Sequence, residues 1–528
     1  MKKIYKFLAV IALICSTFVA KAQNDGIVFT LLPQIPYTNY FNPGVRVPYK
    51  GLVGLGISNI SVSYYNSSIK YTNLYGVNAA GEEVLDADRF LRSLDDQDNT
   101  FNLNFSMDLL NVGFRVKKFF FSFDWRMRFG TDLRFSRDFL GFFIYGNGNY
   151  MGEENPCDFN VDIEAMAFTE YGLGIQYDVN DKLTVGIRPK VLNGMANVKV
   201  NNQRTKIYTD PDTYAITADV DLDVKVSSIF KTDMYRIGDI TKIFDSINNG
   251  GTLSYKNNLG FGIDFGASYV ANEHWGVSAG VYDLGFIKWK DPKVKHNSKE
   301  DVSLNDAVFN DINDVYSLKL DYKSMLDELV DEVWGNDSLT EGSDYKTYLK
   351  TRIMAQGYYQ FHPMLRLTAI GQLFTVRGNI KPAFTLAYSG VFLNHLNLAL
   401  SYTMSNYTGN ALGTGLGVHA GPFNFYLVSD NMLALFNTSA SVEELATSYK
   451  TAGVRLGVIW TFGKYQKQNP LAKKDKKDEV EMEVEKKGDK KVDTEAIDKE
   501  KQEFEQQQQQ LQQQQEPQQE PQQEPKQE

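Results

Sequence analysis

Few side chains in this 528-residue chain could do chemistry, and their spacing is informative. The five histidines are His274, His296, His362, His395 and His419; three of them lie in or beside short turns, and none forms an evident dyad with a nucleophile or carboxylate. Neither a His-Glu-x-x-His helix, a Gly-x-Ser-x-Gly elbow nor a phosphate-cradling Gly-x-x-x-x-Gly-Lys occurs. Cys15 falls in an N-terminal targeting segment, which leaves Cys157 alone, so the mature chain can build neither an internal disulfide nor a cysteine metal site. The expectation is a protein that is not an enzyme, with no catalytic residues, no metal and no cofactor. The net charge of −10 has no basic segment outside the first 22 residues, which excludes nucleic acid as a partner.

What remains is a set of charges of both signs: Asp124, Arg126, Arg128, Asp132, Arg134, Glu170, Arg188, Lys190 and Asp264. The elements that carry them alternate with period two. From Phe119 to Phe135 one parity reads Phe119, Phe121, Phe123, Trp125, Met127, Phe129, Leu133, Phe135, and the other reads Ser122, Asp124, Arg126, Arg128, Gly130, Asp132, Arg134. From Leu259 to Tyr269 apolar residues alternate with Gly260, Gly262, Asp264, Gly266 and Ser268. Aromatic-rich alternation fits strands with one face toward lipid and the other toward a polar lumen. The nine charges then point inward. Interleaved signs read equally as a network packed against a plug or as groups solvated in a wet lumen, with an ion-selective pore less favoured.

Short connections near 117–118, 180–181, 272–273, 362–363, 393–395 and 421–422 divide residues 51–463 into fourteen strands, within two. This count requires the strand-like pair around 197–227 to be an extracellular hairpin. The fold class expected is all-β, a transmembrane antiparallel barrel with long extracellular loops. Residues 318–334 have apolar positions at helical spacing and predict a short amphipathic helix within one loop. Arg455, Gly457, Trp460 and Phe462 on the last strand resemble the assembly signal of outer-membrane barrels, which implies the barrel assembly machinery and outer-membrane lipid as partners.

Residues 1–22 read as a secretory signal peptide cleaved before Gln23. Residues 464–528 turn abruptly to Lys and Glu, then to Gln and Pro, and predict a low-complexity tail, disordered or weakly helical, with Ile497, Phe504 and Leu511 seven apart. The tail is expected in the periplasm, where a flexible tether could contact periplasmic proteins or cell wall.

Asn42-Pro43-Gly44, the run Ser58 to Tyr64, Arg128-Phe129-Gly130, Gly421 to Tyr426 and Asp430-Asn431 resemble an uncharacterised Bacteroidetes outer-membrane family, a domain of unknown function, over roughly residues 25–463. That family is similar in turn to fatty-acid-transporter-like (FadL- and PorV-type) barrels. The resemblance implies fourteen strands and an N-terminal hatch at residues 23–50, with Asn42, Pro43 and Gly44 standing where those barrels carry Asn-Pro-Ala. It implies transport or binding of a small hydrophobic molecule through a hatch-plugged lumen at the cell outer membrane. The alternative is a non-catalytic platform for surface or secretion assembly that recruits partners through the long loops and the tail.

Overall fold

A computed structural model describes residues 27–36, 40–56, 58–68, 75–77, 83–202, 204–229, 258–303, 339–376, 379–393, 395–405, 410–432 and 451–465. The expected signal peptide, the helix at 318–334 and almost all of the tail lie outside them.

Fourteen antiparallel strands close into a barrel: β1 in two pieces (Gly51–Leu55 and Ile60–Asn66), β2 (Asn99–Val116), β3 (Phe119–Phe135), β4 (Val161–Asp178), β5 (Leu183–Asn202), β6 (Asn258–Val270), β7 (Trp275–Trp289), β8 (Arg352–His362), β9 (Leu365–Val376), β10 (Asn379–Phe392), β11 (Leu396–Met404), β12 (Ala411–Ala420), β13 (Phe423–Ser429) and β14 (Thr451–Phe462). Each strand pairs with the next, and β14 returns to pair with both pieces of β1. Closure leaves no unpaired edge, the condition a sheet must meet to stand in lipid. The outward parity is apolar, with Trp125, Leu173, Phe261, Phe265, Leu400, Leu427 and Trp460 all exposed.

One end of the barrel turns tightly. Asn180 Oδ1 accepts from the backbone of Lys182 and Leu183, and Asn272 Oδ1 does the same for His274 and Trp275, so each asparagine supplies the acceptors that fold the chain back. The other end carries the long connections. The residues around 197–227 do form a hairpin beyond the barrel: β5 runs on past the wall, and its Ala196–Asn201 part pairs with a loop strand, Ile216–Ser228, instead of β6. That loop strand pairs in turn with Lys293–Ser303 and Lys206–Thr209. With two short helices, Ala87–Arg92 and Arg137–Tyr145, these strands enclose an apolar core of their own that includes Phe139, Phe159, Val198, Leu222 and Val224. The long loops are thus partly a folded cap.

Between its two pieces β1 steps into the lumen. Val53 pairs with Trp460 and Ile60 with Leu456, so six residues of β1 stand opposite three of β14. The step brings the Ser58 carbonyl over Gly457, where a side-chain methyl would overlap it, and the Tyr426 hydroxyl donates to the same carbonyl at 2.9 Å. Gly457 is therefore fixed by the shape of the closing seam. Trp460 and Phe462 face outward as expected, whereas Arg455 is buried inside.

Two outcomes follow from this packing. Gly457→Val should cost about 1–3 kcal/mol by forcing the seam apart, read as a lower urea midpoint of the detergent-solubilised barrel; an unchanged midpoint would mean that the step does not press on the seam. Cys157 is fully buried in the cap, its thiol pushed up by burial, and donates to the Asp138 carbonyl. It should stay silent to maleimide at neutral pH and react only after denaturation. Rapid labelling of the native protein would contradict the packed cap.

Candidate functional site

The described part of the N-terminal segment, residues 27–36 and 40–50, lies in the lumen toward the tight-turn end. Its first turn, Val28–Leu31, is apolar and packs on the inner face of β10–β13. Gly413, Gly415 and Gly417, which alternate along β12, are the reason it fits: Val28, Leu32 and Ile35 occupy the space that side chains there would take. Gln34 and Asn397 bond each other, the Asn397 amide donating to Gln34 Oε1 at 2.6 Å.

Asn42, Pro43 and Gly44 press against β5–β7 on the opposite wall. The Asn42 amide donates to the Ala279 carbonyl at 3.0 Å, its Oδ1 accepts from Gly44 N at 2.8 Å, and Ser268 donates to the Gly44 carbonyl at 2.7 Å. A methyl on Gly186 would overlap the Pro43 carbonyl, one on Gly266 would overlap Asn42 Oδ1, and one on Gly44 would overlap the Gly266 backbone. An alanine at 44, as in the resembled tripeptide, has no room here. Gln176 of β4 then binds three backbone groups of the segment, donating to the carbonyls of Pro43 and Val45 and accepting from Val47 N. Arg46 and Arg115 share Asp178 at 3.1 and 2.7 Å.

Above this plug lies the charge cluster. Arg188 donates to three carboxylates: Asp124 at 2.8 Å through Nε, Glu170 at 2.6 Å and Asp264 at 2.7 Å. The strand register explains how they meet. Asp264 pairs directly with Arg188, and Asp124 pairs with Gly172, whose missing side chain leaves the gap that the Arg188–Asp124 pair fills. Lys190 reaches Asp264 at 2.6 Å and Asp283 at 2.7 Å; Arg128 grips Asp283 with two nitrogens at 2.9 and 3.0 Å and Glu170 at 3.0 Å. Arg126 bonds Asp108 at 2.9 Å. Ions removed from water lose several kcal/mol of hydration each, so they persist only when paired as fully as these are.

The plug is pinned into the cluster by Tyr40. Its hydroxyl donates to Asp108 Oδ2 at 2.8 Å and meets the Asn111 amide, while the Arg126 guanidinium lies over its ring at 3.7 Å and that of Arg188 at 5.2 Å. Arg455 sits 5.3 Å from the rings of both Phe29 and Phe41. The same arginine that fits the closing-strand pattern thus also contacts the plug.

Seven of the nine expected charges meet in this cluster. Asp132 lies higher on the wall with Lys350 at 3.9 Å, and Arg134 lies higher still, against Asp98 and Asp162. Asp108, Asp283 and Tyr40 belong to the cluster although the alternation did not single them out. Both acids sit where the pairing slips register, Asp108 beside the bulge in β2 and Asp283, with φ of 55°, beside the bulge in β7. Among the described side chains the histidines form no such assembly: His274 and His362 hold backbone groups in tight turns, and the rings of His395 and His419 lie 6.2 Å apart at the same rim. Among the described residues no group of His, Cys, Asp and Glu could hold a metal ion.

Over the cluster, on the long-loop side, is a cavity of about 550 Å³ lined by Phe41, Arg128, Phe168, Tyr282, Leu349 and Arg352 among others. Its floor depends on Arg188. Arg188→Met leaves three buried carboxylates without their shared cation and should cost about 3–5 kcal/mol, whereas Arg134→Met, at an exposed pair, should cost under about 1 kcal/mol. Heat-modifiable gel mobility reads both; equal losses would mean that the cluster does not hold the barrel core together.

No curated protein matches the chain. Among solved structures it is similar to a Pseudomonas aeruginosa FadL homologue (10% identity, 84% of this chain and 97% of that one, TM-score 0.39). It is similar also to the Ralstonia pickettii toluene transporter TbuX (11%, 84% and 99%, 0.38) and the Pseudomonas putida toluene transporter TodX (8%, 84% and 93%, 0.35). Residues 43–430 match the model described as a family of unknown function, DUF5723, and the chain belongs to that family.

Proposed function

We propose that this protein is an outer-membrane barrel that hosts a small molecule in its lumen and controls passage with its N-terminal segment. The observation that carries this reading is the position of Tyr40: the segment fills the tight-turn half of the lumen, and its tyrosine closes the floor of a cavity open toward the long loops. A cavity of this size takes a small organic molecule. Phe41, Met166, Phe168 and Leu349 offer apolar contact for the hydrophobic body expected from the sequence. Hosting and passage need no bond made or broken, so the reading is non-enzymatic. The apolar outer face belongs in a bilayer that accepts β-barrels, and the end of β14 at the tight-turn end supports a periplasmic place for the tail.

A second reading, a platform for surface or secretion assembly, draws on the folded cap, whose own core gives the long loops a fixed shape that a partner could dock against.

Planar-bilayer recordings separate these. The wild-type protein should show little steady conductance, because the plug fills the lumen, and Tyr40→Ala should raise the frequency of open events several-fold by removing the pin. A large constant conductance in the wild type, or no change in the variant, would refute a plug held by Tyr40.

A further inference from the structure

We propose that passage through the barrel runs between the plug and the inner face of β7 and β8, and that the Phe41 ring is its gate, turning aside while the rest of the plug stays seated. This rests on the hosting reading above and names the residue that regulates the same lumen.

A second, smaller pocket of about 40 Å³ lies on the tight-turn side of the plug, lined by Thr30, Asn42, Val45, Ser278, Met354 and Gln356 among others. Among the described lining residues Phe41 belongs both to this pocket and to the large cavity. The strand register shows how short the step between the two spaces is. Tyr282 pairs with Arg352 at the wall of the large cavity, and Ser278 pairs with Gln356 at the smaller pocket. Tyr282 and Ser278 are four residues apart, about 13 Å of strand. At the level between them Gly280 pairs with Met354, and a Cβ at 280 would lie 3.3 Å from both Asn42 and Tyr282. Plug and wall therefore meet at that level.

The two neighbours of Phe41 in the chain are tied down. Tyr40 donates to Asp108, and the Asn42 amide donates to the Ala279 carbonyl. Phe41 instead meets the rings of Phe29 at 6.1 Å and Tyr282 at 6.5 Å, both edge-on, with the Arg455 guanidinium at 5.3 Å. Turning this ring breaks no hydrogen bond. Met354, unbranched and adaptable, can yield with it.

The smaller pocket also has the character of the far side of a gate. Ser278 Oγ and Gln356 Oε1, cross-strand neighbours, are buried there with no hydrogen-bond partner among the described residues. Polar groups lining a space of this size are met by water. Water thus reaches the underside of the Phe41 ring, while the large cavity lies above it.

The test records planar-bilayer currents of the full-length protein. Phe41→Ala should raise the frequency of open events several-fold with Tyr40 intact; Phe41→Leu, which keeps an apolar side chain there, gives the same readout if the alanine variant does not fold. Bridging Gln34→Cys to Asn397→Cys with a short bifunctional methanethiosulfonate ties the plug to β11, and the Phe41→Ala openings should persist. In Phe41→Ala combined with Ser278→Cys, a cationic methanethiosulfonate should cut the current, because the modified side chain then stands in the route. Cys157 is buried in the cap and stays out of the labelling, and heat-modifiable mobility confirms that each variant is folded. The gate would be overturned, with the hosting reading intact, if folded position-41 variants stay closed while Tyr40→Ala opens. Loss of the openings in the tethered plug, or an unchanged current after complete labelling of Ser278→Cys, would overturn it in the same way. If Tyr40→Ala stays closed as well, both readings fall.

Discussion

A guanidinium surrounded by three carboxylates is the constraint on which the interior depends. Arg188 can exist in the membrane-embedded part of the lumen only because Asp124, Glu170 and Asp264 reach it from three other strands, and those acids can stay ionised there only because Arg188, Lys190 and Arg128 answer them. Each partner is a condition for the others. The mutual requirement fixes the relative register of β3, β4, β5, β6 and β7 as firmly as the backbone ladders do, because a slip of one residue would turn a charge toward lipid.

The plug joins the same arrangement through one residue. Its apolar turn packs on small residues of β10–β13, and its Asn-Pro-Gly corner fits glycine recesses in β5 and β6. Among its described residues Tyr40 reaches into the ion cluster, presenting its hydroxyl to Asp108 and its ring face to Arg126. The barrel wall and the plug therefore share one electrostatic centre. The cavity above is floored by that centre, with an apolar side supplied by Phe41 and Phe168.

The barrel was legible in the sequence because its strands obey a strict parity, and so were seven of the clustered charges, which sit on regular stretches of it. Asp108 and Asp283 were not, for a physical reason. In β2 the outward residues run Phe105, Met107 and then Leu110, Val112, and in β7 they run Val277, Val281 and then Leu284, Phe286; in each the phase slips at the acid. Counting parity through a bulge loses the residue that the bulge aims inward. Tyr40 lies in an irregular segment with no period to read, and Arg455 carried the outline of a closing-strand pattern that hid its contact with the plug. The alternating glycines read in the sequence only as small residues facing the lumen, and nothing in their spacing showed that the chain's own N-terminus fills the space beside them.

The seam where β1 meets β14 bears on how the molecule is made. The plug immediately precedes β1, yet its partners are spread over the strands from β2 to β13, among them Asp108, Gln176, Ala279 and Asn397. Its binding surface exists only once the sheet has curled, while the inward step at Ser58 and the seam residue Gly457 meet only when the sheet closes. Fitted afterwards, the segment would have to carry Tyr40 along the closed lumen to Asp108 and Arg126. The geometry favours the opposite order, in which the N-terminus is already lying in the trough when the first and last strands zip together, so that the nascent sheet is cast around its own stopper.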